Sequence, residues 1–299
     1  MTRHILVTGG QGQVGLEIAR LTWPDGIEVQ LPTRAELDIA SRHSVAGYFD
    51  RHPVDAIVNC AAYTAVDRAE EESELAFRVN GEAPGWLAEA GVPIVHLSTD
   101  YVFDGSKSDP YDIDDPVAPL GVYGASKLAG ERAVLAGGAP ALVLRTAWVL
   151  SAHRNNFLKT MLRVAANTPR LRVVDDQRGC PTAAADIAEA VRTILIRMME
   201  DPQAPFGVQH FVNAGEASWC ELAREIFRLS AARGGPVAEV EAITTTDYPT
   251  PARRPANSRL STAALRNAYA IEPRRWQLAV NDIIEELLGP PVRNQGTDA

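Results

Sequence analysis

The chain has 299 residues, of which 46% are hydrophobic and 22% charged, as expected for a globular protein that can bury a large core. Its net charge of -9 argues against general attraction to nucleic acid or to an anionic membrane surface. Three scattered cysteines (Cys60, Cys180 and Cys220) do not suggest a disulfide framework or a metal quartet, and we expect a cytoplasmic protein without a secretory leader.

Short apolar runs alternate with helical segments through the first half of the chain. Strands are predicted at 4–8, 27–33, 54–62, 93–103 and 140–150. Helices are predicted between them, at 16–22, 41–51, 68–90 (with a break at Pro84) and 124–136. Strands that alternate with helices predict an α/β fold with a doubly wound parallel sheet.

The alternation weakens after about residue 150. Helices are predicted at 156–167, 184–200 and 218–232, the last with Ser218 as its N-cap, and a strand at 171–177. Residues 244–260 form a loop rich in Pro and Arg. We expect a first domain at 1–150, a smaller interleaved lobe mainly at 151–288 with segments that return to the first domain, and a flexible tail at 289–299.

A glycine-rich segment connects the first predicted strand to the first predicted helix. Gly9, Gly12 and Gly15 are spaced three apart there. Glycine allows a tight turn and a close approach of the backbone to a pyrophosphate, while the helix N-terminus offers free N–H groups. This context predicts a dinucleotide-binding domain of the Rossmann type.

The second strand ends without the acidic residue that usually accepts the ribose 2′-hydroxyl of NAD. Arg34 follows it instead, and could bind a 2′-phosphate, which favours NADPH over NADH. The other interpretation of Arg34 is a solvated loop charge. Asp38 and Ile39 are expected along the adenine.

The third and fourth strands end in residues suited to a ligand crevice. Small residues near Ala62 leave room for a cofactor, and Asp67 is expected to point toward the same crevice. Ser98 and Thr99 end the fourth strand; since neighbouring residues alternate faces, only one hydroxyl should face the crevice. Hydrogen bonding to the local backbone is the alternative for both.

Tyr123 and Lys127 stand four apart in a predicted helix, which places both side chains on one face. Alone, this spacing is also typical of an ordinary surface pair. Together with the glycine segment and the strand-end hydroxyl, the pair resembles the extended short-chain dehydrogenase/reductase superfamily. Segments from residue 4 to about 288 are similar to the dTDP-4-dehydrorhamnose reductase family: "GGQGQVG", "NCAAYTAVDRAE", "STDYVFDG", "VYGASKLAGE", "LRTAWVL", "NNFLKTML", "VVDDQRGCPT" and "YPTPARRPANSRL".

The resemblance implies reduction of the C4 ketone of dTDP-4-dehydro-β-L-rhamnose to dTDP-L-rhamnose, the last step of dTDP-rhamnose biosynthesis. It makes Tyr123 the general acid, and Thr99 a donor to the same oxygen. It also places Lys127 on the nicotinamide ribose, where its charge would lower the Tyr123 pKa.

The resemblance also implies binding roles. Gly12, Gln13 and Val14 would contact the pyrophosphate, and Ala62, Tyr63 and Thr64 would lie along the cofactor. Asp100 and Trp148 would line the sugar-nucleotide pocket; the alternative for Trp148 is a half-buried core aromatic. Arg254 and the pair Asn257–Ser258 match the C-terminal substrate loop.

The chain departs from this family at a metal site. Some members hold Mg²⁺ between subunits through three glutamates, of which Glu17 and Glu286 match two, while the third position is Ala185 with Asp186 beside it. The lost ligand weakens the case for Mg²⁺. A homodimer is left open, as are two other functions: reduction of another nucleotide-linked 4-keto-6-deoxy sugar, and a non-catalytic NADP-binding regulatory subunit.

Overall fold

Twelve strands can be traced in the computed structural model of the protein, which describes residues 2–292. They are β1 (Arg3–Thr8), β2 (Ile27–Gln30), β3 (Ala56–Asn59), β4 (Ile94–Thr99), β5 (Ala141–Thr146), β6 (Val149–Leu150), β7 (Arg170–Val174), β8 (Arg178–Gly179), β9 (Thr182–Ala183), β10 (Gly207–His210), β11 (Ala217–Ser218) and β12 (Glu239–Ile243).

Eleven α-helices connect or follow these strands within the same residues. They are α1 (Gln13–Arg20), α2 (Arg42–Phe49), α3 (Val66–Ala69), α4 (Ser73–Phe77), α5 (Ala83–Ala88), α6 (Val122–Ala136), α7 (Phe157–Ala165), α8 (Ala184–Glu200), α9 (Trp219–Ala231), α10 (Ala263–Tyr269) and α11 (Trp276–Leu288). Within residues 2–292, none of the helices combines the length and the apolar character that crossing a bilayer requires.

Six of the strands form a parallel central sheet in the order β10-β5-β4-β3-β1-β2. The strand order reverses beside β1, which pairs with β2 on one side and with β3 on the other. Ligands of open α/β sheets bind at such a reversal, at the carboxyl ends of the strands. The predicted fold class, a Rossmann-type doubly wound sheet, is confirmed.

The sixth strand, β10, was not predicted. It pairs with β5 in parallel, and Val208 lies opposite Val143. Its four residues include one aliphatic side chain, and its buried members are Gln209 and His210. A strand without an apolar run has little periodic signal, so its place in the sheet depends on tertiary pairing.

The helical region predicted at 68–90 is interrupted differently from the prediction. A π-helical turn spans Arg78–Glu82 and runs directly into α5, with Pro84 in the first turn of that helix. Because Pro84 cannot donate to the carbonyl of Asn80, the ladder shifts there, and Ala83 N–H donates to the Arg78 carbonyl.

Two main apolar cores flank the sites described below. The first packs α1 and α8 against the central sheet, and includes Ile18 and Ile187. The second lies among α7, α9 and α11 and includes Leu158, Ile226 and Val280. α9 begins at a capping box in which Ser218 and Glu221 bind each other's backbone N–H, which confirms the predicted N-cap.

These cores are consistent with the division expected from the sequence, which we retain as a proposal: residues 1–150 as the dinucleotide-binding domain and 151–288 mainly as a second lobe. α8 and β10 return from the second segment to the first core and to the central sheet. Of the tail predicted at 289–299, residues 293–299 lie outside the described residues.

Candidate active site

A cavity of about 880 Å³ extends along the carboxyl ends of the central strands, beside the reversal of strand order. It collects most of the residues that the sequence singled out. The predicted residues that line it are Gly9, Gly12, Gln13, Val14, Gly15, Arg34, Asp38, Ile39, Ala62, Tyr63, Thr64, Thr99, Asp100, Tyr123, Lys127 and Trp148. The cofactor candidates therefore share one cavity with three of the substrate candidates, Thr99, Asp100 and Trp148.

The glycine loop between β1 and α1 is shaped for close backbone contact. Gly9 has a φ of +71°, and a Cβ there would lie 2.6 Å from the backbone nitrogen of Ala61. A Cβ on Gly15 would lie 2.4 Å from the Gly9 carbonyl oxygen. Gly12 precedes α1 without a side-chain cap, which leaves the first-turn N–H groups available to an anion. These residues fit the pyrophosphate of a dinucleotide.

The rim beside β2 carries the candidates for the adenosine end of a cofactor. The side chain of Arg34 is 80% exposed, and its Nε lies 3.6 Å from Asp38 Oδ1. Ile39 is buried and lines the cavity. Asp38 is the ion-pair partner of the guanidinium, whose solvent side remains accessible to a phosphate.

Lys127 is buried on α6 and points into the cavity floor. Its Nζ donates to the Leu97 carbonyl at 2.6 Å and lies 3.5 Å from His96 Nε2. Burial lowers the pKa of Lys127 to about 8.

Tyr123 lies one turn earlier on α6, half-buried, with its ring edge-on to Tyr101 at a centroid distance of 5.4 Å. Burial raises the pKa of Tyr123 to about 12, against a smaller lowering effect of the Thr99 hydroxyl. The expected lowering of this pKa by Lys127 is not among the causes of the shift: desolvation dominates, and Lys127 Nζ is directed to the Leu97 carbonyl.

The two hydroxyls that end β4 have different partners. Ser98 Oγ donates to Glu131 Oε1 at 2.5 Å, so this hydroxyl is occupied. Thr99 Oγ1 accepts from Tyr101 N–H and donates to Asp100 Oδ1 at 3.1 Å. Thr99 is therefore the strand-end hydroxyl that lies beside Tyr123.

Asp100 is buried directly after Thr99 and lines the cavity. Burial raises the pKa of its carboxyl to about 6. Its Oδ2 has no hydrogen-bonding partner among residues 2–292. A buried acceptor of this kind suits a ligand hydroxyl.

Trp148 forms an aromatic wall of the cavity in an unusual backbone conformation, with a φ of +48°. Its ring stacks on Trp219, at a centroid distance of 3.5 Å and an interplanar angle of 9°. Sequence reasoning missed Trp219, because a helical position gives no sign of which aromatic it meets. It also missed Arg154, which lines the cavity and donates to the Gln11 carbonyl at 2.6 Å.

Asp67 and Arg254 form an ion pair with each other and are not among the cavity-lining residues. Arg254 Nη1 and Nη2 donate to Asp67 Oδ1 and Oδ2 at 3.1 and 2.8 Å. Asp67 also accepts from Ala252 N–H, and the Arg254 guanidinium holds its pKa below the ordinary value. The pair thus holds the C-terminal loop to α3.

The pair Asn257–Ser258 connects the same loop to the 107–109 segment and to Asp100. Asn257 Nδ2 donates to the carbonyls of Lys107 and Asp109, both at 2.8 Å. Ser258 is buried and interacts with the Asp100 carboxyl, where it opposes part of the rise in pKa.

Glu17 and Glu286, the two remaining metal-ligand candidates, are bridged by a cation of the protein itself. Arg20 Nη1 donates to Glu286 Oε1 at 2.7 Å and lies 3.7 Å from Glu17 Oε2. Asp186 pairs with Arg274. Among residues 2–292, no group of three His, Cys, Asp or Glu side chains is arranged to hold a metal ion. These residues do not fit Mg²⁺ as placed here.

A Rossmann-type sheet, a glycine loop at its strand reversal and a Tyr-x-x-x-Lys pair on the flanking helix define a short-chain dehydrogenase/reductase. The model of the RmlD substrate binding domain family matches residues 3–288, and the chain belongs to this family.

Named relatives match nearly the whole chain. A dTDP-4-dehydrorhamnose reductase of Sinorhizobium fredii is 44% identical over 290 residues, covering 95% of this chain and 98% of the relative. The structure of a dTDP-4-dehydrorhamnose reductase from Clostridium acetobutylicum is 36% identical, with a TM-score of 0.89, and covers 95% and 99% of the two chains. That from Bacillus anthracis, solved in complex with NADP, is 30% identical, with a TM-score of 0.88, and covers 96% and 100%.

Proposed function

We propose that the protein is an oxidoreductase that uses NADPH to reduce the C4 ketone of dTDP-4-dehydro-β-L-rhamnose to dTDP-L-rhamnose. The observation that carries the proposal is the single cavity that joins the glycine loop to Thr99, Tyr123 and Lys127. The names of relatives at up to 44% identity, and the NADP bound in the Bacillus anthracis structure, support the same activity and cofactor.

Bound NADPH supplies the hydride, and the chain's own residues bind, orient and protonate. The glycine loop and the first turn of α1 would hold the pyrophosphate, and Arg34 would meet the 2′-phosphate. Lys127 would donate to the nicotinamide ribose. NADH is the alternative cofactor, and a comparison of the Kd for NADPH with the Kd for NADH would decide between them.

Tyr123 would donate its phenolic proton to the C4 oxygen, and Thr99 would donate a hydrogen bond to the same atom. The high pKa of Tyr123 keeps the phenol protonated until a substrate oxygen gains charge. A neutral donor of this kind is what reduction of a ketone requires. Proton transfer and hydride addition together yield the C4 alcohol.

The sugar nucleotide would bind at the other end of the cavity. The free Oδ2 of Asp100 would accept from a sugar hydroxyl, and Trp148, braced by Trp219, would pack on the sugar ring or base. Arg254 would bind the diphosphate, in exchange for or in addition to its contact with Asp67.

A homodimer stays a prediction, measurable by light scattering after gel filtration.

The test is oxidation of NADPH at 340 nm with the 4-keto sugar nucleotide, followed by NMR of the product. We expect oxidation with formation of dTDP-L-rhamnose. A different C4 epimer would instead identify a sister reductase. NADPH binding without any turnover would contradict catalysis, and would favour a regulatory subunit.

A further inference from the structure

A chain of buried polar side chains connects the end of β1 to Lys127. The proposed reaction uses Lys127 but gives no role to the other members of this chain. Thr8 Oγ1 donates to Asn59 Oδ1 at 2.7 Å, and Asn59 Nδ2 lies 3.0 Å from His96 Nδ1. His96 Nε2 in turn lies 3.5 Å from Lys127 Nζ. All four residues are buried, so their polar atoms depend on these contacts.

The orientation of the Asn59 amide follows from its neighbours. Ala61 N–H donates to Asn59 Oδ1 at 3.2 Å. If the amide were turned round, its NH₂ group would face this N–H, and two donors would meet. Asn59 Nδ2 therefore faces His96, and His96 Nδ1 must accept its hydrogen bond.

This contact decides which nitrogen of His96 carries the proton. Burial, aided by the nearby Lys127, holds the pKa of His96 well below its ordinary value, so the ring is neutral and has one N–H. Since Nδ1 accepts from Asn59, the proton lies on Nε2 and faces Lys127 Nζ. An N–H in this place can donate to a free amine but cannot accept from an ammonium group.

Lys127 is otherwise surrounded by few groups that stabilise its charge. Its Nζ donates to the Leu97 carbonyl at 2.6 Å. The titratable or charged groups that face it are Cys60 from the end of β3, Tyr123 and Glu131 from α6, and Arg145 from β5, through its ion pair with Glu131. Arg145 is paired with the Glu131 carboxylate, and the His96 ring lies 3.5 Å from the amine.

We propose that His96 is a positioning residue for Lys127, held by Asn59 so that its Nε2–H faces the amine from the sheet side. The ring directs the amine donors toward the Leu97 carbonyl and the cavity, and it favours the free amine over the ammonium form. Any effect on turnover rests on the proposed reductase function. The protonation of Lys127 itself can be measured without substrate or cofactor.

The composition of the chain makes that measurement direct, because it has only three lysines: Lys107, Lys127 and Lys159. Lysine labelled with ¹³C at Cε gives three NMR signals in the ligand-free protein, each assigned by an arginine substitution. We expect Lys127 to titrate below Lys107, whose ion pair with Asp115 raises its pKa. His96→Gln, with a carbonyl that can accept from the amine, should move the Lys127 midpoint upward by about one pH unit.

Matched variants separate this effect from general loss of packing. His96→Asn retains an acceptor for Asn59 and removes the Nε2–H, so its midpoint should also rise. His210→Asn removes the other fully buried histidine of the central sheet, next to Arg145 rather than Lys127, and should leave the midpoint unchanged. An unchanged midpoint in both His96 variants would overturn the proposal.

A second measurement needs no variant and decides the case if the His96 substitutions fail to fold. In ¹⁵N-histidine spectra of the native chain, the His96 ring should have a protonated Nε2 and an unprotonated Nδ1 from pH 6 to 9. A protonated Nδ1 would overturn the inference. Neither measurement uses substrate. A failed reductase assay would therefore contradict the proposed function without bearing on the role of His96.

Discussion

At the scale of single residues, desolvation sets the charges in the cavity. It raises the pKa of Tyr123 to about 12 and of Asp100 to about 6, and lowers that of Lys127 to about 8. All three shifts favour the neutral form, as burial does for acids and bases alike. The cavity therefore holds a protonated phenol and an amine whose pKa of about 8 is near the physiological range.

Replacing Tyr123 with Phe removes the proposed proton donor and retains the ring that meets Tyr101. We expect kcat to fall by about 10²–10⁴-fold, the usual effect of losing a general acid, with little change in NADPH affinity. Turnover at 340 nm and a fluorescence titration of NADPH measure the two quantities. Tyr48→Phe removes a phenol on α2, outside the cavity, and should keep kcat; persistent turnover with failed cofactor binding in Tyr123→Phe would contradict the assigned role.

Asp100→Asn should stabilise the protein in a pH-dependent way. The folded carboxyl has its pKa raised from 3.8 to about 6, so its ionisation opposes folding, fully above pH 6 and progressively less as the pH falls toward 3.8. The advantage of Asn should therefore grow by about 1 kcal/mol between pH 5 and pH 8. Urea denaturation at both pH values measures it, and an advantage that is constant with pH would show that Asp100 does not titrate as described.

At the scale of elements, the loop between β1 and α1 tolerates no side chain where it touches itself. Gly15 packs on the Gly9 carbonyl, and Gly9 packs on the backbone at Ala61. The glycines thus bring α1, β1 and the end of β3 together, and the first-turn N–H groups of α1 face the cavity. Binding of a pyrophosphate depends on this backbone geometry more than on any side chain.

Gly15→Ala should weaken NADPH binding by about tenfold or more, equivalent to about 1.4 kcal/mol, because its Cβ would lie 2.4 Å from a backbone oxygen. Gly47→Ala on α2 is the matched control. Its Cβ would come no closer than 3.8 Å to the Arg51 side chain, so it should stabilise by about 0.5–1 kcal/mol and leave NADPH binding unchanged. Calorimetric titration and thermal melts measure both; equal NADPH affinities in the two variants would argue against the loop as the pyrophosphate site.

At the scale of the whole molecule, the C-terminal loop connects the two segments of the chain around the cavity. Its residue Arg254 reaches Asp67 on α3, and Asn257 binds carbonyls of the 107–109 segment. The Asp67–Arg254 pair is partly exposed, and pairs of this kind stabilise proteins by less than about 1 kcal/mol. The pair therefore adds little to stability, which leaves Arg254 as a candidate for the substrate contact proposed above.

Arg254→Ala should change the free energy of unfolding by less than about 1 kcal/mol. It should raise KM for the sugar nucleotide by about ten- to a hundredfold, as loss of a charge-assisted contact worth about 1.5–3 kcal/mol requires. Arg228→Ala, which breaks an exposed ion pair with Glu225 on α9, is the control and should leave KM unchanged. An unchanged KM in Arg254→Ala would assign the diphosphate to another cation, with Arg154 as the first to test.

The sequence was sufficient for features that depend on local pattern. The alternation of apolar runs and helices predicted five of the six sheet strands, the glycine spacing predicted the place of the loop after β1, and the Tyr123–Lys127 spacing predicted that both side chains share one face of a helix. The sequence was insufficient for β10, which has no apolar run, and for the π turn before Pro84. It also gave no sign of contacts between distant segments, such as Trp148 with Trp219 or Arg20 between two glutamates.

The sequence by itself determined the class of fold and the place of the glycine loop, because these follow from periodicity and glycine geometry; its candidates for the reacting residues came from the family resemblance and stay predictions. Only the tertiary structure decided that Ser98 turns to Glu131 while Thr99 stays beside Tyr123, that Asp67 and Arg254 pair, and that His96 faces Lys127. The physical reason is that charge and hydrogen bonding depend on burial and on neighbours far apart in the chain, which no local pattern records.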